Sequence, residues 1–268
     1  MARPVEFDIQ LIHDTREFAN DFVVRQKPSR ESVASCARGF PAPPEELQLG
    51  YGSDSEQYLA GGRNDALAVH SFMSEFGCIL SERSRVLDFG CAAGRLTRWI
   101  TDVWPKAEAW GVDIDAPRIT WARQNLSELA SFAMTTKIPT LPFSDAFFDL
   151  CFAFSVFTHI DDLASMWLLE LARTVRNGGT VLVTIMDENT IKQMFERHAE
   201  EPLPKRLRDY SEYYQENDFD MFSITRDSVP DVWYRNEYFK KMVQSAFDVI
   251  AVRPEFHGWQ TGILLRKR

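Results

Sequence analysis

The sequence has few of the residues that build metal sites or disulfide frameworks. Of 268 residues, four are Cys and five are His. Cys36, Cys78, Cys91 and Cys151 show no paired spacing, so reduced thiols in a cytoplasmic protein are expected. The histidines are scattered without ligand-like spacing, and no metal centre is expected. Positive charge is also short, with 30 Lys+Arg against 39 Asp+Glu and a net charge of −9. That balance argues against a nucleic-acid backbone as the main partner, which needs a basic surface. No apolar run reaches the length of a membrane span. Residues 1–6 lack the apolar core of a signal peptide. Internal repeats and low-complexity tracts are absent too.

What is present suits a large α/β domain with an extension. The chain is 45% hydrophobic and 13% aromatic, enough for a sizeable core. It is organised around Val86-Leu87-Asp88-Phe89-Gly90-Cys91-Ala92-Ala93-Gly94-Arg95. A short apolar run ends in an acid, a glycine turn follows, and Leu96, Trp99, Ile100 and Val103 then recur at helical spacing. This is strand, tight turn and helix start, the nucleotide-binding opening of a Rossmann-like sheet. Gly90 lets the backbone turn close to a ligand, Gly94 lets the helix begin near the strand, and the N–H groups of that helix start suit an anion. Asp88 would repel a dinucleotide pyrophosphate, and Ala92 stands where G-x-G-x-x-G has its middle glycine. S-adenosylmethionine has no phosphate; it offers an ammonium to Asp88, directly or through water, and a carboxylate to the N–H groups. A second acid is needed about 20 residues on for the ribose hydroxyls; Gly111-Val112-Asp113-Ile114-Asp115 supplies it in Asp113.

Four blocks in order resemble the class I S-adenosylmethionine-dependent methyltransferases. They are the stretch from Val86 to Arg95 and that from Gly111 to Asp115. The third runs from Leu141-Pro142-Phe143 through Phe148-Asp149-Leu150 to Ser155-Val156-Phe157-Thr158-His159-Ile160. The fourth runs from Leu169-Glu170-Leu171-Ala172-Arg173 through Asn177-Gly178-Gly179-Thr180-Val181. The resemblance implies a Rossmann-like seven-stranded, mostly parallel sheet with helices on both faces and a closing antiparallel hairpin. Residues 1–80 read as a helical N-terminal extension, with helical patches over 17–25 and a helix over 65–76. Residues 81–268 read as the methyltransferase core. Strands are expected at 85–89, 107–113, 131–134, 148–154, 180–186, 247–253 and 259–266. Helices are expected at 94–103, 117–129, 161–176 and 238–245. Asp161-Asp162 read as the cap of the third of these, and Asn177-Gly178-Gly179 as its end. Residues 187–240 form a helical insertion rich in aromatics, read as a lid over the acceptor or as packing on the sheet.

The expected cofactor set is Asp88, Gly90, Ala92, Gly94, Asp113 and Ile114, joined by Phe154 and Ser155 at the carboxyl end of their strand, where open α/β sheets bind ligands. Tyr51 and Tyr58 read either as a cover on the cofactor or as packing. Many family members carry an adenine-binding acid before Leu-Pro-Phe; Lys137 and Ile138 stand there instead, leaving Thr136 or backbone for that contact. An oxygen acceptor needs a base. His159 is the first candidate and His257 the second. The basic run Lys205-Arg206-Leu207-Arg208 reads as a phosphate contact or a solvated face. The acceptor implied by the resemblance is a small molecule, a sugar or glycan above all. An N- or C-methyltransferase, a non-catalytic cofactor-fold protein and a nicotinamide-dependent oxidoreductase are the alternatives.

Overall fold

A computed structural model describes residues 39–210, 219–226 and 229–268, together with two short strands, β1 (Leu11–His13) and β2 (Asp21–Val23), paired antiparallel. The helical reading of 17–25 lies mostly outside the described residues, and Asp21–Val23 within it is a strand. In chain order there follow α1 (Ser55–Glu75), β3 (Arg85–Phe89), α2 (Ile100–Val103), β4 (Glu108–Asp113), α3 (Ala116–Leu126) and β5 (Ser131–Met134). Then come β6 (Phe148–Ala153), α4 (Ala164–Thr174), β7 (Val175–Ile185), α5 (Glu188–Arg197) and α6 (Pro202–Asp209). The remainder is β8 (Met221–Arg226), β9 (Val229–Tyr234), α7 (Asn236–Val243), β10 (Phe247–His257) and β11 (Gln260–Lys267). The main sheet has seven strands in the order β10-β11-β7-β6-β3-β4-β5. β3/β4, β4/β5 and β6/β7 pair parallel, while β11 pairs antiparallel with both β7 and β10.

Contacts divide the chain into two compact units. One holds residues 1–71 and 80–142, the other 72–79 and 143–268. In the first, Val86, Leu87 and Val112 are buried without exposure, as is Leu126 of α3, which packs beside the strands. α1 begins at Ser55, ten residues earlier than the periodicity predicts. The cause is a cap: Asp54 accepts the Gln57 N–H at 2.9 Å, and the Gln57 side chain accepts from Ser53 N–H at 3.3 Å. α1 carries Gly61-Gly62 in its interior, an arrangement that costs about 1 kcal/mol per glycine against Ala. Gly62 explains its presence, because a Cβ there would lie 2.2 Å from the Arg95 carbonyl oxygen. The helix therefore crosses directly over the backbone that follows the glycine turn.

In the second unit the core is the continuous apolar run of β6 with Val181–Val183 of β7, strands covered on both faces. Asn177-Gly178-Gly179 does not end a helix. α4 stops at Thr174 and β7 starts at Val175, with a bulge between the pairs Phe148/Val175 and Leu150/Thr180. Gly178 takes φ +73° in that bulge, and a Cβ on Gly179 would meet Val175 Cγ1 at 2.7 Å. Asp161 and Asp162 do not cap α4 either; its N-cap residue is Leu163, and Asp161 accepts from the neighbouring Asp162 N–H.

The insertion is not wholly helical. α5, with a capping box between Asp187 and Thr190, and α6 are followed by the hairpin β8/β9. Trp233 of β9 is completely buried and stacks on Phe222 at 4.9 Å, in a cluster with Met186, Ile191, Met194, Leu207, Phe219 and Ile224. β9 is fastened just past the carboxyl end of β7: Met186 and Trp233 form a parallel bridge, and Tyr234 N–H donates to Met186 O at 2.9 Å. The Tyr234 hydroxyl donates to the Ile160 carbonyl, just past the turn that follows β6. The aromatics of the insertion thus build a wall along the carboxyl ends of β6 and β7. Tyr213 and Tyr214 lie outside the described residues.

Candidate functional site

The glycine turn leaves β3 at Phe89. Gly90 and Gly94 adopt φ of +81° and +78°, and Ala92 between them adopts +47°, a left-handed conformation that L-residues rarely take. A Cβ on Gly94 would lie 2.8 Å from Leu126 and 3.2 Å from Phe132. Gly94 thus serves close packing against α3 and β5 rather than a helix start, because regular helix begins only with the 3-10 turn Thr97–Trp99. Four N–H groups of the turn are already engaged. Gly90 and Cys91 donate to Val112 O, Gly94 donates to Cys91 O, and Ala92 donates to Asp113 Oδ2 at 2.7 Å. The expectation that the turn would hold an anion is therefore corrected for these four donors, whether the anion is a pyrophosphate or the carboxylate of S-adenosylmethionine.

Asp113 at the end of β4 takes Ala92 N–H on one oxygen and Asp115 N–H on the other, at 2.7 and 2.9 Å. A carboxylate has about four lone-pair sites, so two stay open for vicinal hydroxyls. Burial pushes its carboxyl above the ordinary value, while the Asp115 and Ala92 N–H groups hold it down. Asp115, two residues on, is engaged within its own helix. It is the N-cap of α3, accepting Arg118 N–H at 3.0 Å and pairing with the Arg118 guanidinium. Ile114 between the two acids is exposed at 39%, an apolar side chain open to a flat ring. Thr136 accepts from Ile138 N–H at 3.1 Å, which leaves its hydroxyl hydrogen to donate.

Asp88 is deeply buried and accepts the Thr97 hydroxyl at 2.6 Å. Burial pushes its carboxyl up to about 7, against the Thr97 bond and the nearby Arg95 charge. Arg95 pairs with Asp65 of α1 at 2.5 Å and lies 4.2 Å over the Tyr51 ring. Tyr51 is thereby engaged in packing. Tyr58 is 2% exposed, and its hydroxyl has no hydrogen-bond partner among the described residues. Its neighbours include Arg98, Arg95, Cys91 and Asp88, and burial pushes its hydroxyl well above the ordinary value. The early start of α1 and its approach to Arg95 have their sequence signals in the Asp54/Gln57 cap and the Gly61-Gly62 pair.

In the second unit, Phe154 is buried against Phe256 and His257, at ring distances of 5.7 and 5.1 Å. His257 belongs to the end of β10, paired with Gln260, rather than to a loop. Ser155 takes φ +55° at the exit of β6. Its N–H donates to the Thr184 hydroxyl at 2.8 Å, and its own hydroxyl is bonded to the Gln260 amide. What Ser155 brings to the strand end is a kinked backbone, not an unengaged side chain. His159 closes a 3-10 turn, Phe157–His159, with its side chain 44% exposed. Its Nδ1 lies 2.8 Å from Pro230 O and 3.8 Å from an Asp231 oxygen. Of the basic run, Arg206 pairs with Asp231, Lys205 pairs with Glu200, and Arg208 lies over Phe195. These cations are thus occupied within the protein. Among the described residues no group of His, Cys, Asp and Glu is arranged to hold a metal, and Cys78, Cys91 and Cys151 are buried free thiols. No helix among them is long and apolar enough to cross a membrane.

Residues 87–183 match the family model described as a methyltransferase domain. A malonyl-[acyl-carrier protein] O-methyltransferase of Erwinia pyrifoliae is 31% identical over 119 residues, 41% of this chain and 40% of that protein. A trans-aconitate 2-methyltransferase of an Azoarcus species is 30% identical over 132 residues, 48% of this chain and 49% of the relative. The chain thus spans less than half the length of these curated relatives. Among solved structures, the PH0226 protein of Pyrococcus horikoshii superposes with a TM-score of 0.58 at 16% identity, covering 84% of this chain and all of the other. Magnesium protoporphyrin IX methyltransferase from Synechocystis with bound SAH does so with a TM-score of 0.54 at 13% identity, covering 83% and 92%. Residues 87–183 of the chain thus resemble a methyltransferase domain, and the sheet around them shares its fold with these solved structures.

Proposed function

We propose that the chain transfers a methyl group from S-adenosylmethionine to an oxygen of a small hydroxylated acceptor. The observation that carries this reading is the glycine turn. The two strands beside it end in acids: buried Asp88 would meet the ammonium, and the half-engaged Asp113 the two ribose hydroxyls. The cofactor, when bound, supplies an electrophilic methyl and a neutral thioether leaving group. The protein binds, aligns and dries the reacting pair. Ile114 offers an apolar surface to adenine, and Thr136 a donor. At the carboxyl end of β6, His159 is our choice of base, taking the acceptor hydroxyl proton as the new oxygen–carbon bond forms. Such a base contributes roughly 10²–10⁴-fold. A relative named as an O-methyltransferase supports an oxygen acceptor. A sugar acceptor has no support in these relatives.

The test has two arms. Calorimetry with S-adenosylhomocysteine should show binding, and NAD should show none. A panel of hydroxylated and carboxylated acceptors with labelled cofactor, read by mass, should show transfer to oxygen. On a hydroxyl acceptor, His159→Gln should lower turnover by the factor above with cofactor affinity kept. A carboxylate acceptor is already deprotonated, so full activity of His159→Gln on carboxylates alone would replace the hydroxyl reading.

A further inference from the structure

The hairpin in the insertion does more than wall off the strand ends. We infer that β9 fixes the protonation form of His159, so that Nδ1 carries the hydrogen and Nε2 presents the lone pair. The inference rests on the reading of His159 as the base but stands on separate geometry. A carbonyl oxygen only accepts, so the 2.8 Å contact between Nδ1 and Pro230 O requires a hydrogen on Nδ1. The neutral ring then has its acceptor at Nε2, on a side chain 44% exposed. Free histidine in water favours the opposite form, with the hydrogen on Nε2. Here the backbone of the hairpin selects the form that can take a proton from an incoming group, as a hydrogen bond to one ring nitrogen does in general.

Asp231 and Arg206 are positioning residues in this arrangement. An Asp231 oxygen stands 3.8 Å from Nδ1, and its other oxygen takes Arg206 Nη2 at 2.6 Å. Arg206 lies on α6, so the ion pair pins the start of β9 to that helix, and with it the Pro230 carbonyl. At its far end β9 is held by Met186 and, through Tyr234, by Ile160. His159 and Ile160 are chain neighbours, so ring and carbonyl are fastened to one frame.

Long-range proton–nitrogen NMR on the full-length, nitrogen-15-labelled protein tests this with no acceptor present. The His159 signals are identified by their loss in His159→Gln. The neutral ring should show the Nδ1–H pattern, dominant in the wild type. Asp231→Ala, which breaks the Arg206 pair and leaves no carboxylate beside Nδ1, should lose that dominance while the melting transition stays cooperative; Asp231→Ser provides a second variant if Asp231→Ala fails to fold. A wild-type ring in the Nε2–H form would overturn the inference. So would folded variants whose ring pattern is unchanged, since the ion pair would then position nothing. Unchanged transfer by His159→Gln would sink the base reading alone, because the ring pattern is read without catalysis.

Discussion

Asp88→Asn should stabilise the ligand-free protein while weakening its grip on the cofactor. The carboxyl is buried and pushed from an ordinary 3.8 up to about 7. A raised acid binds a proton in the folded state that the unfolded chain has already lost. Its contribution is therefore fully present below about pH 4, falls as pH rises, and is gone above about pH 7. The shift corresponds to roughly 4 kcal/mol as an order of magnitude. Asparagine keeps an oxygen for the Thr97 hydroxyl and carries no charge to desolvate. Wild type and variant should melt together near pH 4 and separate steadily above it. At pH 7.5 the variant should melt higher by about 8–16 °C, given roughly 2–4 °C per kcal/mol for a chain of this size. Differential scanning calorimetry from pH 4 to 8 measures this. S-adenosylhomocysteine titrations at pH 7.5 should show affinity reduced at least about tenfold, the loss of one charge-assisted contact. In the wild type that affinity should rise from pH 6 to 7.5 as Asp88 ionises. A melting difference that is constant across pH, or a variant less stable at every pH, would refute the reasoning.

Three further outcomes follow from the same geometry. Asp113→Asn should weaken cofactor binding roughly tenfold or more and lower the melting temperature, because the carboxylate also receives Ala92 and Asp115 N–H; calorimetry with and without S-adenosylhomocysteine separates the two effects. Gly62→Ala should cost about 2 kcal/mol or more through the clash with Arg95 O, whereas Gly61→Ala, whose nearest neighbour is Arg95 Nη1 at 3.5 Å, should gain up to about 1 kcal/mol; urea unfolding of the pair distinguishes local propensity from contact. Tyr58→Phe should stabilise the ligand-free protein by about 1–3 kcal/mol by removing a buried hydroxyl with no partner among the described residues; unaltered stability would show the hydroxyl to be satisfied.

The strands were the most legible part of the chain. Arg85–Phe89 and Ser131–Met134 fall where the sequence places them, because short apolar runs are bounded by turns and acids with few alternative readings. Asp88 and Asp113 stand at the carboxyl ends of β3 and β4, as their spacing places them. The Asn177-Gly178-Gly179 bulge was misread because glycine after a helical run signals both a helix end and a bulge, and only the partner strand decides. The hairpin β8/β9 was missed for a similar reason. Pro230 argues against a strand, and the stacking of Trp233 on Phe222 that fixes the register is a long-range event. No local pattern marks the Ser155–Gln260 contact, whose partners are 105 residues apart.

The burial of Trp233 bears on how fast ligands come and go. A hinged cover must leave its seat in each catalytic cycle, and such covers are drawn from weakly packed segments. β9 is sewn to Met186 by backbone and seated by a tryptophan with no exposed surface. Unseating a residue of that size costs about 3–5 kcal/mol, a population penalty of roughly a hundredfold to a few thousandfold for any state with the hairpin lifted. Exchange of substrate and product is therefore expected to bypass this hairpin, leaving it a stationary wall whose rigidity keeps the His159 ring in register from one turnover to the next.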